Sequence, residues 1–564
     1  MKVVIIGGVA GGATAAARLR RLDETAEIVV FERSGYVSYA NCGLPYYIGG
    51  VIEDPEALTL QTPESFFARF RVDMRVRHEV TAIHPERKTV SVKNLETGAE
   101  FEERYDKLIL SPGARPTQPR LPGVGLEKVF TLRTVEDTFR IKDFINAHHP
   151  GSAVLAGGGF ISLELAENLR ELGMEVTVVQ RPRQLMNPFD PDMAAFIHSE
   201  ARRHGIRLAL GQTVEGFEER DGGVDVLLKD GAPLHADMVV LAIGVTPDTA
   251  LAKEAGLELG LKGSIVVNDR METSVPDIYA VGDAVQVKHF VTGQDAVISL
   301  AGPANKQGRI AADNICGGDS RYSGSQGSSV VKVFDLTAAS TGVNETNAKK
   351  AGLDVDTVIL SPMSHAGYYP GGRVMTMKVV FEKGTYRLLG AQIVGYEGVD
   401  KRIDVLATAI RAGMTAIQLR DLDLAYAPPY SSAKDPVNMA GFMVENLAGG
   451  VVKQFRLEDV KALPRDGSVT LLDVRTPQEY AGGGIEGFRN IPVDALRERL
   501  GELEAGKPVY VVCQSGLRSY IACRILAGHG FETYNFSGGF RFYDAVVNDR
   551  RLIEQAAACG MDLL

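Results

Sequence analysis

Two glycine-rich turns, each lying between a short apolar strand and a helix, constrain this chain more than any other feature. The first turn, at residues 7–12, follows the predicted strand Lys2–Ile6 and precedes a helix that ends near Leu22. The next strand, Glu27–Phe31, leads directly into Glu32. Glycines let the backbone approach a pyrophosphate at a helix N-terminus, and an acid about 20 residues on accepts hydrogen bonds from a ribose. This βαβ unit therefore predicts a dinucleotide site.

The same pattern returns from residue 153. The predicted strand Ala153–Ala156 leads into the turn at residues 157–162, and the strand Glu175–Val179 follows the helix. Each turn departs from the G-x-G-x-x-G/A pattern at one position, because Val9 replaces the second glycine of the first turn and Ser162 replaces the last small residue of the second. Two such units predict two bound nucleotides and an α/β chain with two Rossmann-like domains.

Three further strand-and-turn signals occur in the order found in flavoproteins that have two dinucleotide domains. The strand Lys107–Leu110 and the turn at residues 111–114 resemble the return of the chain to the flavin domain. Residues 241–244 resemble the matching turn that closes the nicotinamide domain. The strand Ile278–Val281 and the Gly-Asp turn after it resemble the stretch whose aspartate holds the ribityl and pyrophosphate region of a flavin.

Composition excludes several classes of protein. With 45% hydrophobic and 23% charged residues, the chain has the balance of a folded globular protein. Its net charge of −10 argues against a nucleic-acid partner or a basic membrane-binding surface. No apolar run reaches the roughly 20 residues that span a bilayer, and no secretory pattern follows Met1, so we expect a cytoplasmic protein without a membrane partner. We predict no metal site.

A single cysteine, Cys42, lies in the stretch Ser-Tyr-Ala-Asn-Cys-Gly-Leu-Pro-Tyr at residues 38–46. Disulfide reductases of the glutathione reductase type carry a second cysteine on the corresponding helix, but position 47 here is Tyr47. The thiol must therefore form either a mixed disulfide with a small thiol or an oxidised sulfur species. The polar Ser38 and Asn41 are poor neighbours for a buried structural cysteine.

This single-cysteine motif, the double nucleotide repeat and two tyrosine-rich motifs at residues 364–370 and 426–432 together resemble one family. It is the coenzyme A-disulfide reductase and NAD(P)H-dependent persulfide (polysulfide) reductase branch of the pyridine nucleotide-disulfide oxidoreductases, and the resemblance extends to about residue 447. It implies FAD, NAD(P)H and coenzyme A as ligands and a homodimer as the assembly. It also implies that Cys42 alternates between a thiolate and a mixed disulfide with coenzyme A. Coenzyme A disulfide, coenzyme A persulfide or polysulfide would be the substrate.

The resemblance implies three sets of binding residues. The predicted FAD contacts are Gly7, Gly8, Ala10, Gly11, Glu32, Arg33, Ala114, Gly282 and Asp283. The predicted NAD(P) contacts are Gly157, Gly159, Phe160, Ile161, Glu164, Gln180 and Gly244. The predicted coenzyme A contacts are Thr14, Arg18, Arg21, Ser38, Asn41 and Lys434. Because Gln180 and an arginine after it stand where NAD-specific relatives carry an acid, we predict that both nicotinamide nucleotides are used.

The tyrosine-rich motifs match those whose tyrosines, in this family, reach the cysteine of the other subunit. Tyr368 and Tyr426 are our candidates for proton donors or hydrogen-bond partners of the leaving thiolate. Their alternative role is packing at the interface. The His-Pro…Glu acid/base motif of the glutathione reductase branch does not occur in the sequence, which excludes that narrower relative.

A second reactive cysteine is predicted near the C-terminus. The strand Val509–Val512 is followed by Cys-Gln-Ser-Gly-Leu-Arg-Ser at residues 513–519, which opens a helix. A thiol beside inward-pointing backbone N–H groups and Arg518 is expected to have a depressed pKa and to suit an anionic persulfide. The motif resembles that of a rhodanese sulfurtransferase, because Cys513 and Arg518 are separated by four residues, whereas cysteine-dependent phosphatases have five. An inactive docking module is the alternative.

We therefore predict four domains. An FAD-binding domain covers residues 1–117 and 245–325, and an NAD(P)-binding domain is inserted at residues 118–244. An α+β dimerisation domain covers residues 326–447, and a small α/β rhodanese domain covers residues 455–564.

The predicted function is NAD(P)H-dependent reduction of coenzyme A disulfide, coenzyme A persulfide or polysulfide at Cys42, with sulfane sulfur supplied through Cys513. Two alternatives stay open at this stage. One is an NAD(P)H oxidase, water- or peroxide-forming, that uses a Cys42 sulfenic acid. The other is a redox-sensing or sulfur-delivery protein whose flavin turns over slowly.

Overall fold

The computed structural model describes residues 1–559. They form two compact units. The first consists of residues 1–182 and 205–327, and the second of residues 183–204 and the chain from residue 328 onward.

The first unit contains a parallel five-stranded sheet centred on Lys2–Ile6. Across the sheet the strands are Ile278–Ala280, Lys107–Leu110, Lys2–Ile6, Glu27–Phe31 and Asp73–Arg75. The central strands are almost wholly apolar and buried, as a sheet covered on both faces requires. The helix Ala10–Leu22 packs against the helix Ala301–Ile315 through small residues, and a Cβ atom on Gly308 would collide with the carbonyl of Gly11.

A second parallel sheet in the same unit carries the second glycine-rich turn. Its strands, in order across the sheet, are Arg207–Leu210, Glu175–Gln180, Ser152–Ala156, Met238–Leu241 and Val129–Thr131. The central strand Ser152–Ala156 pairs in parallel with both neighbours, which repeats the arrangement around Lys2–Ile6. Both predicted Rossmann-like sheets are therefore present.

Short antiparallel sheets and further helices complete the first unit. The three-stranded sheets are His78–His84 with Thr89–Asn94 and Glu100–Arg104, and Val214–Arg220 with Gly223–Leu228 and Leu234–Ala236. The shorter pairings are Ala114–Pro116 with Val245–Pro247, and Ile265–Val266 with Val285–Lys288 and Asp295–Ala296. The other α-helices are Leu44–Gly49, Pro63–Phe70, Val135–His148, Phe160–Glu171 and Ala250–Glu254.

The second unit begins with an antiparallel five-stranded sheet. Its strands, in order, are Ser329–Val333, Leu336–Gly342, Leu388–Gly395, Thr376–Glu382 and Val355–Leu360. Its helices are Pro191–Arg203, Glu345–Lys350, Val399–Arg411 and Pro436–Ala448. From the sequence we expect strands at Val330–Phe334, Val374–Phe381 and Leu388–Val394 and a helix at Asp400–Ala412, and the structure confirms all four within one or two residues. The strands Leu336–Gly342 and Val355–Leu360 are not predicted from the sequence. The result is the predicted α+β domain.

The C-terminal part of the second unit is a small parallel sheet flanked by helices. The strands, in order, are Lys453–Phe455, Thr533–Phe536, Val509–Val512, Thr470–Asp473 and Arg489–Asn490. The helices are Leu457–Val460, Pro477–Ala481, Leu517–Gly528 and Gly539–Cys559. The predicted fold class is confirmed in all four parts. Residues 560–564 of the predicted rhodanese domain lie outside the described chain. Among residues 1–559, no helix combines the length and apolarity needed to cross a membrane.

A buried charged group fixes the C-terminal helix on the rest of the second unit. Asp549, on the Gly539–Cys559 helix, accepts hydrogen bonds from His198 Nδ1 (2.9 Å) and Arg202 Nη1 (2.6 Å) on the helix Pro191–Arg203. His198 Nε2 accepts a hydrogen bond from the backbone N–H of Leu185 at 2.9 Å, so Nδ1 carries the proton donated to Asp549. The C-terminal domain is therefore held by a specific polar contact.

We expect Asp549→Ala to loosen this attachment. Removing one partner of a buried ion pair costs about 3–5 kcal/mol, because the remaining charge stays desolvated. Gly449 and Gly450 lie between the helix Pro436–Ala448 and the strand Lys453–Phe455. Limited proteolysis should cut the chain there faster in the variant, and its unfolding temperature should fall. Asp544→Ala, on the exposed face of the same helix, is the matched control. Equal proteolysis rates for the two variants would contradict the anchoring role of Asp549.

Candidate functional site

The first glycine-rich turn lies at the carboxyl end of the central strand and opens the helix Ala10–Leu22. No side chain caps this helix, and its first turn contains no acidic residue. Gly7 has φ +98°, and a Cβ atom there would collide with the Ser111 carbonyl. The backbone N–H of Gly8 donates to Glu32 Oε2 at 2.9 Å. An uncapped helix end above a turn that only glycine can form fits the pyrophosphate of a dinucleotide, which the sequence analysis predicts to be FAD.

The second turn has the same construction. The helix Phe160–Glu171 also begins without a side-chain cap, and Gly157 has φ +119° with the Ala242 carbonyl against its Cβ position. Ser162, the departure from the motif, is fully buried and donates its hydroxyl hydrogen to the Gly157 carbonyl at 2.6 Å. This hydrogen bond explains why serine is tolerated at that position. By contrast, Thr134 caps the neighbouring helix Val135–His148 with its side chain.

Cys42 lies on the short turn Asn41–Gly43, immediately before the helix Leu44–Gly49, and it is exposed. The pKa of its thiol is raised, first because the surrounding protein desolvates the sulfur and second because of the negative charge of Glu164. Arg133 acts in the opposite direction. The structure therefore places three charged side chains around the predicted redox cysteine, the acids Glu164 and Asp283 and the base Arg133.

Glu164, one of the predicted NAD(P) contacts, comes from the helix Phe160–Glu171, which packs against the helix after Cys42. Burial and the neighbouring Glu167 raise the pKa of its carboxyl to about 7, while a hydrogen bond from Tyr46 lowers it. Burial and Glu164 raise the pKa of the Tyr46 hydroxyl to about 12. A carboxyl group that titrates near neutral pH beside a thiol can hold or release a proton there.

We expect Glu164→Gln to lower the pKa of Cys42. Above about pH 7 the native carboxylate is ionised and disfavours the thiolate, so removing its charge should speed thiol alkylation severalfold in that range and change little below it. The test is the pH dependence of iodoacetamide modification at Cys42, read by peptide mass spectrometry. Glu171→Gln, exposed on the same helix, controls for the loss of a charge. A pH profile identical to that of the native protein would contradict the coupling.

Arg133 is the residue that sequence reasoning missed at this site. Its Nη2 atom donates to Asp283 Oδ2 at 2.7 Å, and Asp283 is the predicted flavin ligand in the turn Gly282–Ala284. No sequence spacing connects the two, because they are 150 residues apart. The pairing holds the Asp283 carboxylate in one orientation.

The remaining predicted nucleotide contacts lie at the ends of strands or on turns. Arg33 is exposed and pairs with Asp248 at 2.8 Å. Ala114 begins a short strand that pairs with Val245–Pro247, and Gln180 ends the strand Glu175–Gln180. Ala10, Gly11, Gly159, Phe160 and Ile161 lie on the two glycine-rich turns or at the start of the helices that follow them. Gly244 lies in the short link between the strands Met238–Leu241 and Val245–Pro247.

The predicted coenzyme A contacts in the first unit already have protein partners in several cases. Thr14 donates its hydroxyl hydrogen to Asn305 Oδ1 at 2.6 Å, and Arg18 pairs with Asp313 at 2.6 Å. Arg21 is exposed near the end of the same helix. Ser38 has a positive φ of 46°, a conformation uncommon for a residue with a side chain. Asn41 adjoins Cys42, and Lys434 belongs to the second unit.

In the second unit, the structure brings Tyr368 and Tyr426 together. Their hydroxyl groups lie 2.8 Å apart, although the residues are 58 positions apart in the chain. The hydrogen bond to Tyr426 raises the pKa of Tyr368. Both side chains are exposed, with 76% of Tyr368 accessible, which is unusual for a hydrogen-bonded aromatic pair within one subunit.

Cys513 lies at the base of a tight loop after the strand Val509–Val512. Its Sγ atom accepts hydrogen bonds from the backbone N–H of Gly516 at 3.1 Å and from the Ser519 hydroxyl at 3.2 Å. Gly516 has φ +97° and is the residue before the helix Leu517–Gly528. These donors suit a sulfur that carries negative charge. Ser519 is a contact that the sequence analysis did not single out.

Arg518 does not stand free beside the loop. Its two terminal nitrogens donate to the two oxygens of Glu479 at 2.8 and 2.7 Å, and this pairing is the main reason that the pKa of Glu479 falls to about 2. Nearby, the buried Arg475 pairs with the buried Asp473 at 2.7 Å. Glu479 is a second contact that spacing alone does not reveal, since it lies 39 residues from Arg518.

The other cysteines lack such settings. Burial raises the pKa of the Cys523 thiol to about 12, and burial followed by the charge of Asp23 raises that of Cys316. The side chain of Cys559 lies outside the described part of the chain. Within that part, Cys42 and Cys513 are the two cysteines that lie in motifs from which sulfur chemistry is predicted.

In comparisons with known proteins, three family models match successive parts of the chain. The pyridine nucleotide-disulphide oxidoreductase family matches residues 1–308, and the dimerisation domain of that family matches residues 328–436. A rhodanese-like domain matches residues 456–545.

Three similar proteins cover most of the chain. The coenzyme A disulfide reductase of Staphylococcus aureus is 39% identical over 444 residues, which are 78% of this chain and 99% of that protein. The crystal structure of reduced CoADR-RHD from Bacillus anthracis has a TM-score of 0.94 at 48% identity and covers 97% of this chain and 98% of its own. An NAD-dependent persulfide reductase from A. fulgidus has a TM-score of 0.90 at 40% identity, with 96% of this chain and 100% of its own covered.

Proposed function

This chain belongs to the pyridine nucleotide-disulphide oxidoreductase family and carries a rhodanese-like domain, and we propose that it is a reductase of coenzyme A-linked sulfur. The proposed substrates are coenzyme A disulfide, coenzyme A persulfide or polysulfide. NAD(P)H is the reductant, FAD the bound cofactor, and Cys42 the redox cysteine. The similar proteins that are named for coenzyme A disulfide and persulfide reduction support the class of substrate.

One observation carries this proposal. Cys42 is exposed and lies next to a carboxyl group with a pKa near 7, while Tyr47 occupies the position of a second redox cysteine. A lone thiol cannot close an internal disulfide, so its oxidised form is a mixed disulfide with a small thiol or a sulfenic acid, and we propose the first. The second sulfur centre, Cys513, supports coenzyme A persulfide as a substrate, because a rhodanese-like cysteine can supply its sulfane sulfur.

At Cys42, the thiolate attacks the coenzyme A sulfur of a coenzyme A persulfide. A Cys42–coenzyme A disulfide forms, the sulfur–sulfur bond of the persulfide breaks, and hydrosulfide leaves with the electron pair. FAD, when bound, would pass two electrons from NAD(P)H to this mixed disulfide. Glu164 is placed to hold the proton that the leaving sulfur or Cys42 requires.

At Cys513, the hydrogen bonds from Gly516 and Ser519 would stabilise a persulfide anion. The thiolate of coenzyme A attacks its outer sulfur, so that coenzyme A persulfide forms and the Cys513 thiolate leaves. The product of this step is the substrate of the step at Cys42. In a homodimer, the exposed hydroxyl groups of Tyr368 and Tyr426 would donate a proton or a hydrogen bond to the thiolate that leaves at Cys42 of the other subunit.

Mass spectrometry of the purified holoprotein tests the proposal. We expect FAD to be released on denaturation, coenzyme A to stay disulfide-linked to Cys42 until a reductant is added, and one added sulfur to appear on Cys513 after treatment with thiosulfate. Coenzyme A attached nowhere, together with no sulfur on Cys513, would contradict it.

An NAD(P)H oxidase that works through a Cys42 sulfenic acid is the second candidate, because the same exposed single thiol suits that species. Oxygen consumption much faster than turnover of any sulfur substrate would favour the oxidase.

A further inference from the structure

Three arginines surround Tyr396 in the second unit. The guanidinium carbons of Arg203 and Arg373 lie 5.7 and 5.5 Å from the centre of its ring. Arg541 interacts electrostatically with its hydroxyl group. That hydroxyl donates a hydrogen bond to Glu200 at 3.1 Å. Tyr396 thus organises a basic cluster, which we call the Tyr396 cluster and define by these five residues.

Only one of the three positive charges is balanced inside the cluster. Arg203 pairs with Glu200 at 2.7 Å. Within the described part of the chain, the side chains of Arg373 and Arg541 form neither an ion pair nor a hydrogen bond. Arg541 is partly buried, and burial lowers the pKa of its guanidinium, which nevertheless stays charged at neutral pH. Desolvating a charge without a partner is costly, so Arg541 favours a bound anion, and the exposed guanidinium of Arg373 next to Tyr396 adds a second cation for the same ligand.

The cluster adjoins the loop of Cys513. The backbone N–H of Arg541 donates to the carbonyl of Gln514 at 3.1 Å, and that of Phe540 donates to the carbonyl of Cys513 at 2.7 Å. Arg518, the cation expected at the loop, is neutralised by Glu479. The unpaired positive charge therefore lies beside the loop, toward Tyr396.

We propose that Arg373 and Arg541 bind phosphate groups of coenzyme A while its sulfur end reaches Cys513. The inference rests on the proposed function and adds a coenzyme A site at the sulfurtransferase domain, separate from the contacts predicted around Cys42. A guanidinium matches phosphate geometry, and two of them suit a ligand with several phosphates. The pantetheine arm of coenzyme A separates its phosphates from its sulfur. The phosphates can therefore bind at Arg373 and Arg541 while the sulfur lies at the Cys513 loop.

The reaction at this site is sulfur transfer without net oxidation. The Cys513 thiolate attacks the outer sulfur of coenzyme A persulfide, a Cys513 persulfide forms, and the coenzyme A thiolate leaves with the electron pair. Cyanide then takes the outer sulfur as thiocyanate and restores the Cys513 thiolate. The transfer can run in either direction and needs no NAD(P)H.

The test measures thiocyanate formation by the full chain carrying Cys42→Ser, without NAD(P)H, so the reductase step does not contribute. Coenzyme A persulfide and pantetheine persulfide are compared as donors, because the second lacks the nucleotide and its phosphates. We expect Arg541→Gln and Arg373→Gln each to lower kcat/KM for coenzyme A persulfide about tenfold, equivalent to about 1.4 kcal/mol, through KM. Transfer from pantetheine persulfide should not change.

The Arg373→Gln variant separates loss of binding from damage to the Cys513 loop. Arg373 lies outside the sulfurtransferase domain, so its substitution leaves that loop intact. Arg497→Gln, exposed on that domain, controls for a general loss of positive charge. Equal effects on the two donors, or no effect on either, would overturn the site. Transfer from thiosulfate but from neither persulfide would overturn the proposed sulfur relay as well.

Discussion

Replacing Cys42 with serine is expected to abolish NAD(P)H-dependent release of sulfide from coenzyme A persulfide, with a loss on the order of 10³-fold or more. Serine cannot form the mixed disulfide, and Tyr47 stands where a second cysteine would have to act in its place. The other described cysteines of the chain lie elsewhere, with Cys316 facing the hydrophobic core of its unit. The measurement is sulfide production together with NAD(P)H oxidation under anaerobic conditions.

The same variant carries its own control. Thiosulfate:cyanide sulfur transfer depends on Cys513 and should continue at the native rate, which shows that the chain is folded. Bound FAD, measured by absorbance after denaturation, should also be unchanged. Sulfide release by Cys42→Ser at more than a few per cent of the native rate would contradict the assignment of Cys42 as the redox cysteine.

Replacing Cys513 with serine is expected to have the complementary effect. Sulfur transfer from thiosulfate to cyanide should fall to background, because the sulfur that accepts the Gly516 and Ser519 hydrogen bonds is the proposed carrier. NAD(P)H-dependent reduction of coenzyme A disulfide should be unaffected, since that substrate needs no sulfane sulfur. Both activities are followed spectrophotometrically on one preparation.

Cys523→Ser is the matched control for this second prediction. Cys523 lies on the helix that follows the Cys513 loop and is buried, with a thiol pKa raised to about 12. It should retain sulfur transfer. Loss of coenzyme A disulfide reduction in Cys513→Ser would contradict the separation of the two centres.

Local patterns in the sequence predict the fold well wherever neighbouring residues determine it. The strands Lys2–Ile6, Glu27–Phe31, Lys107–Leu110 and Val509–Val512 are predicted to the residue, because apolar runs bounded by glycine turns leave little freedom. The sequence analysis assigns residues 183–204 to the nicotinamide domain, whereas the structure groups them with the second unit. Contacts such as His198 with Asp549, 351 residues apart, hold them there.

The sequence predicts the reactive cysteines of the two candidate sites but not the charged residues around them. Cys42 and Cys513 stand out because each has a motif within ten residues of itself. The residues that adjust their chemistry do not stand out, since they act across long separations. Arg133 pairs with Asp283, Glu164 approaches Cys42 from the helix Phe160–Glu171, and Glu479 neutralises Arg518. Opposite charges on distant segments give no periodic signal, so only the folded chain reveals these partners.

The central claim is that sulfur passes from Cys513 to coenzyme A and then to Cys42. The most direct test loads Cys513 of the full-length protein, stripped of bound coenzyme A, with isotopically labelled sulfane sulfur from thiosulfate. Labelled sulfide is then measured after NAD(P)H is added with or without coenzyme A. We predict release only when both are present and Cys42 is intact. Release at the same rate without coenzyme A, or from Cys42→Ser, would contradict the relay.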